Sequence, residues 1–457
     1  MNPPKIKSMF WRPKLDKACR SLYISLAQQL EADIQNGILR PGAKLPPQRE
    51  LAYSLGINVS TVSKAFKLCE LKGLLSATVG CGTFVAYDAL YNVNLLIRHN
   101  QDSVINLGPT APETFEHRIL VKMTQEMLCE THAGKLFSYF ASGADEWQKD
   151  AAVKFLSFCG HHAKRERILF AGGGQNALSA LLIALFRRGD KIGVDDHTYP
   201  GIKSAAAMLG IQLVPIPNKP DGLDIMNLEA VCKTDKIRGL YLIPACHNPT
   251  TAVISREKRI QIAQIVKKYG CILLEDGTYQ LLHNRERGIS DLAPEHSVYF
   301  VSLSKGIAPG LRLAYLSVPI AWKDVISDVL YNLNVTTVPL MAELAARVIA
   351  SGQYDAIIKL HRQHVRKRNK IVNHYFKAYH CLGSEDNIFR WLMLPDHYSG
   401  ADFEDMALSR GVQVFGAERF AVGNTPPAKA VRLSVCSPES LEQLERGVQI
   451  VLDLLKS

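Results

Sequence analysis

The sequence predicts an α/β protein in two parts: a small helical unit closed by a hairpin, then a mainly parallel sheet with helices on both faces. Two patterns carry the prediction. Through the first eighty-odd residues apolar positions recur at helical spacing, until LLSATVGCGTFVA ends the unit in two short apolar runs around Gly80-Cys81-Gly82. From Arg167 onward the runs RILFAG, KIGVDD, QLVPIP, GLYLIPA, CILLED, SVYFVSLS and LRLAYLSVP alternate with longer helical stretches. Strands separated by helices make a sheet covered on both sides.

In the first part, Leu22, Leu26, Leu30 and Ile34 lie four residues apart and define one helix, which GILRPG terminates. Pro47 to Leu55 fits a short second helix. After the turn Gly56-Ile57-Asn58, either Asn58 or Ser60 can cap a third helix that reaches about Lys72. The glycine-centred hairpin that follows needs positive φ at its turn. This order of elements is a winged helix-turn-helix, spanning residues 15–86. In such a unit the helix after the turn enters the major groove of double-stranded DNA. Ser60, Thr61, Ser63, Lys64 and Lys67 occupy its exposed face, with Val62, Ala65, Phe66 and Cys69 buried, and Arg49 on the preceding helix can meet a backbone phosphate. A helical hairpin with surface lysines also serves as plain solvated structure; the complete element order with its wing favours the DNA reading.

Composition bounds the rest. The 457 residues, 47% hydrophobic and 21% charged, suit two or three globular units. The basic start MNPPKIKSMFWRPKLDK lacks the apolar run of a secretion signal, and ALSALLIALF is too short to span a bilayer. A cytoplasmic protein without a membrane partner is expected. The 10 cysteines form no C-x-x-C pair, so no metal is expected and reduced thiols are. A formal net charge of +11 suits a polyanionic partner without proving one.

In an α/β sheet, ligands collect beyond the carboxyl ends of the strands. Gly172-Gly173-Gly174-Gln175, His247-Asn248-Pro249, Glu275-Asp276-Gly277-Thr278-Tyr279 and Ser304-Lys305 all fall there. Singly each has an ordinary explanation: a turn, a helix entry, a tight loop, a solvated lysine. Jointly they match one chemistry. A lysine that forms a Schiff base needs a partly desolvated pocket. A pyridine ring nitrogen needs a carboxylate, which Asp276 supplies. A phosphate needs backbone N–H groups and a cation, available from Gly173, Gly174, Gln175 and Arg312 beside the hydroxyls of Ser302 and Ser304. These are the requirements of pyridoxal 5′-phosphate.

Residues 22–86 carry G-x-L-x-P-G-x-x-L-P, R-E-L-A, T-V-x-x-A-F and G-x-G-T-F-V in order, and this segment resembles the DNA-binding domain of the GntR family. From about Asn106 to Leu454 the chain resembles the fold type I aminotransferases, with a large part at about 145–325 and a smaller α+β part at about 326–457. That resemblance implies that Lys305 in SLSKGIAPGLRL binds the cofactor covalently as the catalytic lysine, and that Arg312 holds its phosphate. It implies that Asn248 and Tyr279 hydrogen-bond the ring hydroxyl and that Tyr199 stacks on the ring. It further implies that Arg432 in VRLSV grips a substrate or effector α-carboxylate, and that Tyr139 in LFSYF reaches the phosphate of a partner subunit. Joined behind a polar linker at 87–104, the two parts resemble the MocR subfamily of bacterial transcription regulators.

The departures lie near the pocket and the recognition helix. AGGGQ replaces the hydroxyl-rich T-S-G-S-Q, Thr251 replaces the glycine usual in N-P-T-G, and YFASGA is a loose version of Y-x-D-P-x-G. In the DNA-binding unit Gln48 replaces a common serine and Val59 an arginine. The resemblance implies a homodimer that binds operator DNA and senses a small amine or amino-acid effector through external aldimine formation. The alternative is a pyridoxal phosphate-dependent aminotransferase with a DNA-binding N-terminal domain. A protein using the large fold only as a dimerisation scaffold is disfavoured by Lys305, Asp276, Tyr279 and Arg312 occurring together.

Overall fold

Asn58 starts the third helix of the chain: its side chain accepts from the Ser60 amide at 2.9 Å and the Ser60 hydroxyl at 3.0 Å. Of the two candidate caps, the structure selects this one. The computed structural model describes residues 11–15, 21–78, 82–87, 89, 104–110, 117–138, 145–219, 221–283 and 286–457. Most of the expected linker, the Gly80-Cys81 turn and Tyr139 fall outside these.

Helices α1 (Leu22–Gln35), α2 (Gln48–Leu55) and α3 (Val59–Leu71) form the N-terminal unit. Gly56 ends α2 with φ +64, a left-handed conformation that favours glycine. Leu26, Leu30 and Ile34 are buried together with Leu51, Val62, Ala65, Phe66 and Cys69. Each large apolar side chain so buried contributes roughly 1.5–3 kcal/mol. Leu22, grouped with them by spacing, is 37% exposed because it opens the helix beyond the reach of α3. Strands β1 (Leu75–Thr78) and β2 (Gly82–Val85) pair antiparallel with Leu75 opposite Val85. The turn before α2 docks on this wing through Gly42 N–H to Val85 O and Leu45 N–H to Thr83 O, both 2.8 Å.

The large unit is built on seven strands, all within the seven apolar runs. They are β3 (Ile168–Ala171), β4 (Lys191–Asp195), β5 (Gln212–Ile216), β6 (Gly239–Leu242), β7 (Ile272–Asp276), β8 (Ser297–Ser302) and β9 (Ala314–Ser317). Their spatial order is β3-β9-β8-β7-β6-β4-β5. Only β9 runs antiparallel, against both β8 and β3, and among the described residues β5 is an open edge. Every residue of β8 is buried, as expected of a strand covered on both faces. Alternation then divides its residues: Val298 and Phe300 join the core under helix α4 (Gly174–Leu185), whereas Tyr299 and Val301 join the opposite one.

Behind this sheet stands a four-stranded antiparallel sheet made of Cys381–Leu382, Phe389–Met393, Ala430–Ser434 and Phe415–Gly416. Ile105 and Asn106 pair with Val412 and Gln413, so the start of the large unit packs beside its end. A division at residue 325 falls inside the helix Ile320–Asn334, which packs on α4. Among the described residues no helix is long and apolar enough to cross a membrane, and no cluster of histidine, cysteine and carboxylate side chains has the arrangement of a metal site.

Replacing Asn58 by alanine leaves the Ser60 amide and hydroxyl without their acceptor. We expect a loss of about 1 kcal/mol in the N-terminal unit, read as faster amide exchange through the first turn of α3. Unchanged exchange there would discount the cap.

Candidate functional site

Strand β3 ends in three glycines, each crowded by a different side chain: Gly172 by Asn334, Gly173 by Arg312 and Gly174 by Ser302. Gly173 has φ +98, and a Cβ at that position would lie 2.7 Å from the Arg312 Nη2. Arg312 itself has φ +45 and donates to Gly172 O at 3.4 Å. A Cβ on Gly174 would meet the Ser302 Cβ at 3.2 Å. The Gly173 N–H is not available as an anion donor, because it turns back to Ala171 O at 2.8 Å. The amides of Gly174 and Gln175 open the first turn of α4, where helix N–H groups lack intrahelical acceptors. Around them stand the Ser302 hydroxyl, which donates to Ser304 Oγ at 3.1 Å, and Thr278 Oγ1, which accepts from Ser302 N at 3.4 Å. These amides and hydroxyls, with the Arg312 guanidinium beside them, gather donors at the start of α4.

The side chain of Gln175 has a separate job. It donates to Gly201 O at 3.0 Å and accepts from the Tyr199 hydroxyl at 3.2 Å. Helix α5 (Pro200–Leu209) therefore begins locked to α4, and Gly201 has no room for a side chain between Tyr199 and Gln175. Burial and the nearby Asp276 charge push the Tyr199 phenol up to about 12.

Strand alternation sends Glu275 and Asp276 to opposite sides. Glu275 accepts from the amides of Ile289 and Ser290 at 3.1 and 2.6 Å and is structural. Asp276 is 8% exposed and accepts from Thr278 N at 2.9 Å and from the Tyr241 hydroxyl at 3.0 Å. Burial raises its pKa. Among the described residues no lysine, arginine or histidine forms an ion pair with it.

Lys305 follows β8, and its Nζ donates to the Thr110 carbonyl. Burial first, then the charges of Arg432 and Arg312, lower its pKa to about 8. Arg432, on the antiparallel sheet opposite Trp391 and Phe415, is 4% exposed. It donates from Nη1 to Asn248 Oδ1 and from Nη2 to Gly108 O, both at 2.7 Å, while its Nε has no partner. The rings of Phe420, Phe415 and Phe389 surround it at 4.8, 5.4 and 5.7 Å. No carboxylate pairs with it among the described residues. Asn248 in turn donates to the Tyr279 hydroxyl at 3.4 Å. Burial raises the Tyr279 phenol.

The structure thus gathers Lys305, Asp276, Tyr199, Asn248, Tyr279, Arg312 and Arg432 around the carboxyl ends of β3 and β6–β8. It adds Gly108, Thr110 and Tyr241, which sequence reasoning did not name, and gives Thr278, named there only as part of its stretch, a place beside Asp276. Tyr241 carried one signal, a polar tip in the middle of an apolar strand. Thr251, in place of the usual glycine, has φ +65. A β-branched residue there costs roughly 1–2 kcal/mol, and the turn is held by Thr251 N–H to His247 O at 2.7 Å and His247 N–H to Ala252 O at 2.8 Å.

On the N-terminal unit, Arg49, Ser60, Ser63, Lys64 and Lys67 are exposed and Thr61 is half-buried. Lys67 pairs with Glu70 at 3.3 Å and borders a groove between this unit and the large one, so Lys64 is the less encumbered cation.

A winged DNA-binding unit on a doubly covered sheet whose strand ends gather a lysine, a carboxylate and two arginines defines an aminotransferase-like regulator. Residues 102–449 match the aminotransferase class I and II family, and residues 22–85 match the gntR family of bacterial regulatory proteins. The chain belongs to the gntR regulators, in the MocR-like group whose DNA-binding unit is joined to an aminotransferase class I and II domain. It is 52% identical over 448 residues to YdeF of Bacillus subtilis (strain 168), described as an uncharacterized HTH-type transcriptional regulator, covering 98% of this chain and 97% of that one. It is 24% identical to the probable rhizopine catabolism regulatory protein MocR of Rhizobium meliloti, with 77% and 76% covered. The solved structure of LysN, an α-aminoadipate aminotransferase from Thermus thermophilus, superposes with a TM-score of 0.70 at 22% identity, covering 78% of this chain and 92% of that one.

A lysine held near pKa 8 is half neutral at that pH and mostly neutral above it. Protein freed of small molecules is expected to capture an aromatic aldehyde at Lys305 with a rate that rises with pH through a midpoint near 8. A midpoint above 10 would mean a solvated lysine.

Proposed function

We propose that this protein is a transcription regulator that binds operator DNA through its winged unit and senses an amine or amino acid at a pyridoxal 5′-phosphate site in its large unit. The observation that carries the reading is the pair of buried, uncompensated charges: Asp276 has no cationic partner and Arg432 no carboxylate among the described residues. A protonated pyridine nitrogen fits the first and an α-carboxylate the second.

When bound, the cofactor supplies an aldehyde that condenses with amines and a ring that withdraws electrons. The residues present fit it. The Gly174 and Gln175 amides, the Ser302 and Ser304 hydroxyls and Arg312 hold the phosphate. Asp276 keeps the ring nitrogen protonated, with Tyr241 and Thr278 fixing the carboxylate. Asn248 and Tyr279 orient the ring hydroxyl, and Tyr199, braced by Gln175, covers the ring face. Lys305 Nζ, mostly neutral above pH 8, would be the amine that holds the cofactor's aldehyde and, when free, a base within the same pocket. Arg432 fixes the effector carboxylate by two-point hydrogen bonding.

Regulation needs only that effector-bound and effector-free states favour different arrangements of the DNA-binding units. A homodimer in the cytoplasm, reading two half-sites of double-stranded DNA, supplies a long enough address. The second reading, an aminotransferase, is favoured by the completeness of the site. The chain is also 26% identical to the 2-aminoadipate transaminase of Thermus thermophilus, over 64% of its length and 77% of the enzyme.

Lys305→Ala is expected to remove the visible cofactor absorbance, to retain basal operator binding and to lose the effector response. Efficient multiple turnover between an amino acid and a keto acid, with operator binding indifferent to both, would make the protein an enzyme. On the DNA side, Lys64→Ala is expected to weaken binding uniformly and to reduce the salt slope by about 1, whereas Ser60 or Thr61 substitutions should shift sequence preference. An unchanged slope would remove Lys64 from the phosphate contacts.

A further inference from the structure

Arg432 is connected to the DNA-binding unit by one short segment. Phe420 lies against the guanidinium at 4.8 Å and is fully buried. Its carbonyl accepts from Thr198 N at 2.8 Å, and Val422 N–H donates to Asp196 O at 3.1 Å. The segment is therefore laced to the residues that lead directly into Tyr199. Lys203, on α5 and 2% exposed, donates to Arg419 O at 2.9 Å and to Ala421 O at 2.6 Å. A buried lysine spent on two backbone carbonyls has no part in the chemistry assigned to the site, and it fixes this segment to the helix that carries the ring-stacking tyrosine.

One residue beyond Val422, Gly423 O accepts from the Tyr87 N–H at 2.7 Å. Tyr87, the first residue of the expected linker, packs with the winged unit: its ring lies over Gly42, where no side chain would fit. A Cβ on Gly423 would lie 3.7 Å from Ser76 Oγ on the wing strand. Beside this contact, among the described residues, runs a groove of about 400 Å³ bordered by Lys67, Leu75, Lys203 and Gln212. The backbone of Gly423 is thus a point at which the two units meet, and a displacement of its carbonyl is felt directly by the Tyr87 amide.

We propose that the Arg419–Gly423 segment is the output surface of the carboxylate site, joining Arg432 through Phe420 to the winged unit through Gly423, so that a carboxylate at Arg432 changes how that unit is seated. This rests on the reading of Arg432 as the effector's carboxylate receptor. An anion at Arg432 competes with the ring cage for the guanidinium. Phe420 has no free volume to absorb the change alone, because a packed interior transmits displacement. Coupling of this kind changes affinity about 5- to 150-fold, reciprocally at both sites.

The test uses the full-length, cofactor-loaded protein carrying Ser76→Cys and Gly423→Cys, with each single variant as control and L-alanine and 2-aminoadipate as probes. Oxidised, the double variant is expected to keep the probe-induced change in cofactor absorbance while its operator affinity moves less than about 2-fold, below the coupling range given above; reduction restores the wild-type response. An operator response of wild-type size in the cross-linked protein overturns the proposal. A second measurement needs no effector and tolerates strain at Gly423. Lys203→Met is expected to raise exchange of the Tyr87 amide by roughly tenfold or more, as a locally loosened contact opens more often, with the cofactor spectrum intact, and unchanged exchange overturns the link. If wild-type absorbance responds to a probe but operator affinity does not, the regulatory reading fails, and the exchange result still decides whether the segment joins the two units.

Discussion

Taking an ionised group out of water without a partner costs several kcal/mol, and this large unit does so twice within one crevice. Asp276 and Arg432 sit on different sheets and approach from different parts of the chain, yet neither neutralises the other. Asp276 is kept in place by a phenol and an amide, Arg432 by an asparagine, a carbonyl and three aromatic rings. The arrangement separates charges that a structure selected for stability alone would have paired or replaced with apolar groups. Much of the surrounding architecture follows from that separation. Glycines at 173, 174 and 201 let backbone and side chains close in, and the pairing of residues 105–106 with 412–413 delivers the carbonyls of Gly108 and Thr110. Lys305 feels the same field, its ammonium disfavoured by burial and by two guanidinium groups.

Strands that are buried on both faces announce themselves as unbroken apolar runs, which is why the inner members of the main sheet were legible; the edge strand β5, mostly half-buried, was marked by its apolar composition alone. The residues just after those runs were legible for a related reason: polar groups at the end of an apolar strand must face something. What the sequence concealed was of two kinds. Backbone groups carry no residue signature, so the Thr110 carbonyl beside Lys305 and the inward turn of the Gly173 amide could be found only from coordinates. Side chains whose partners come from distant segments were equally hidden. Tyr241 acquires its role from Asp276 one strand away, and Gln175 from Tyr199 on the next helix. Leu22 followed the helical repeat but lay outside the packing, because periodicity marks a face without marking where the neighbouring helix stops.

Thr251 illustrates how a departure from a family pattern can be absorbed. Glycine would adopt φ +65 freely; threonine does so at a cost borne by the turn between β6 and the helix Arg256–Tyr269. Because Asn248, which holds both Arg432 and Tyr279, lies three residues earlier, this strain sits beside those two contacts.

The open edge at β5 has a consequence for the protein as a whole. An unpaired strand edge invites pairing with another chain, and natural sheets blunt such edges with proline or cover them. Here Pro215 withholds one backbone donor, and the winged unit stands across a groove from Gln212 to Pro215. The DNA-binding unit therefore doubles as a guard for the large one. Separation of the two, whether by proteolysis between them or by a truncation, would leave this strand margin facing solvent, where an unpaired edge can pair with another chain.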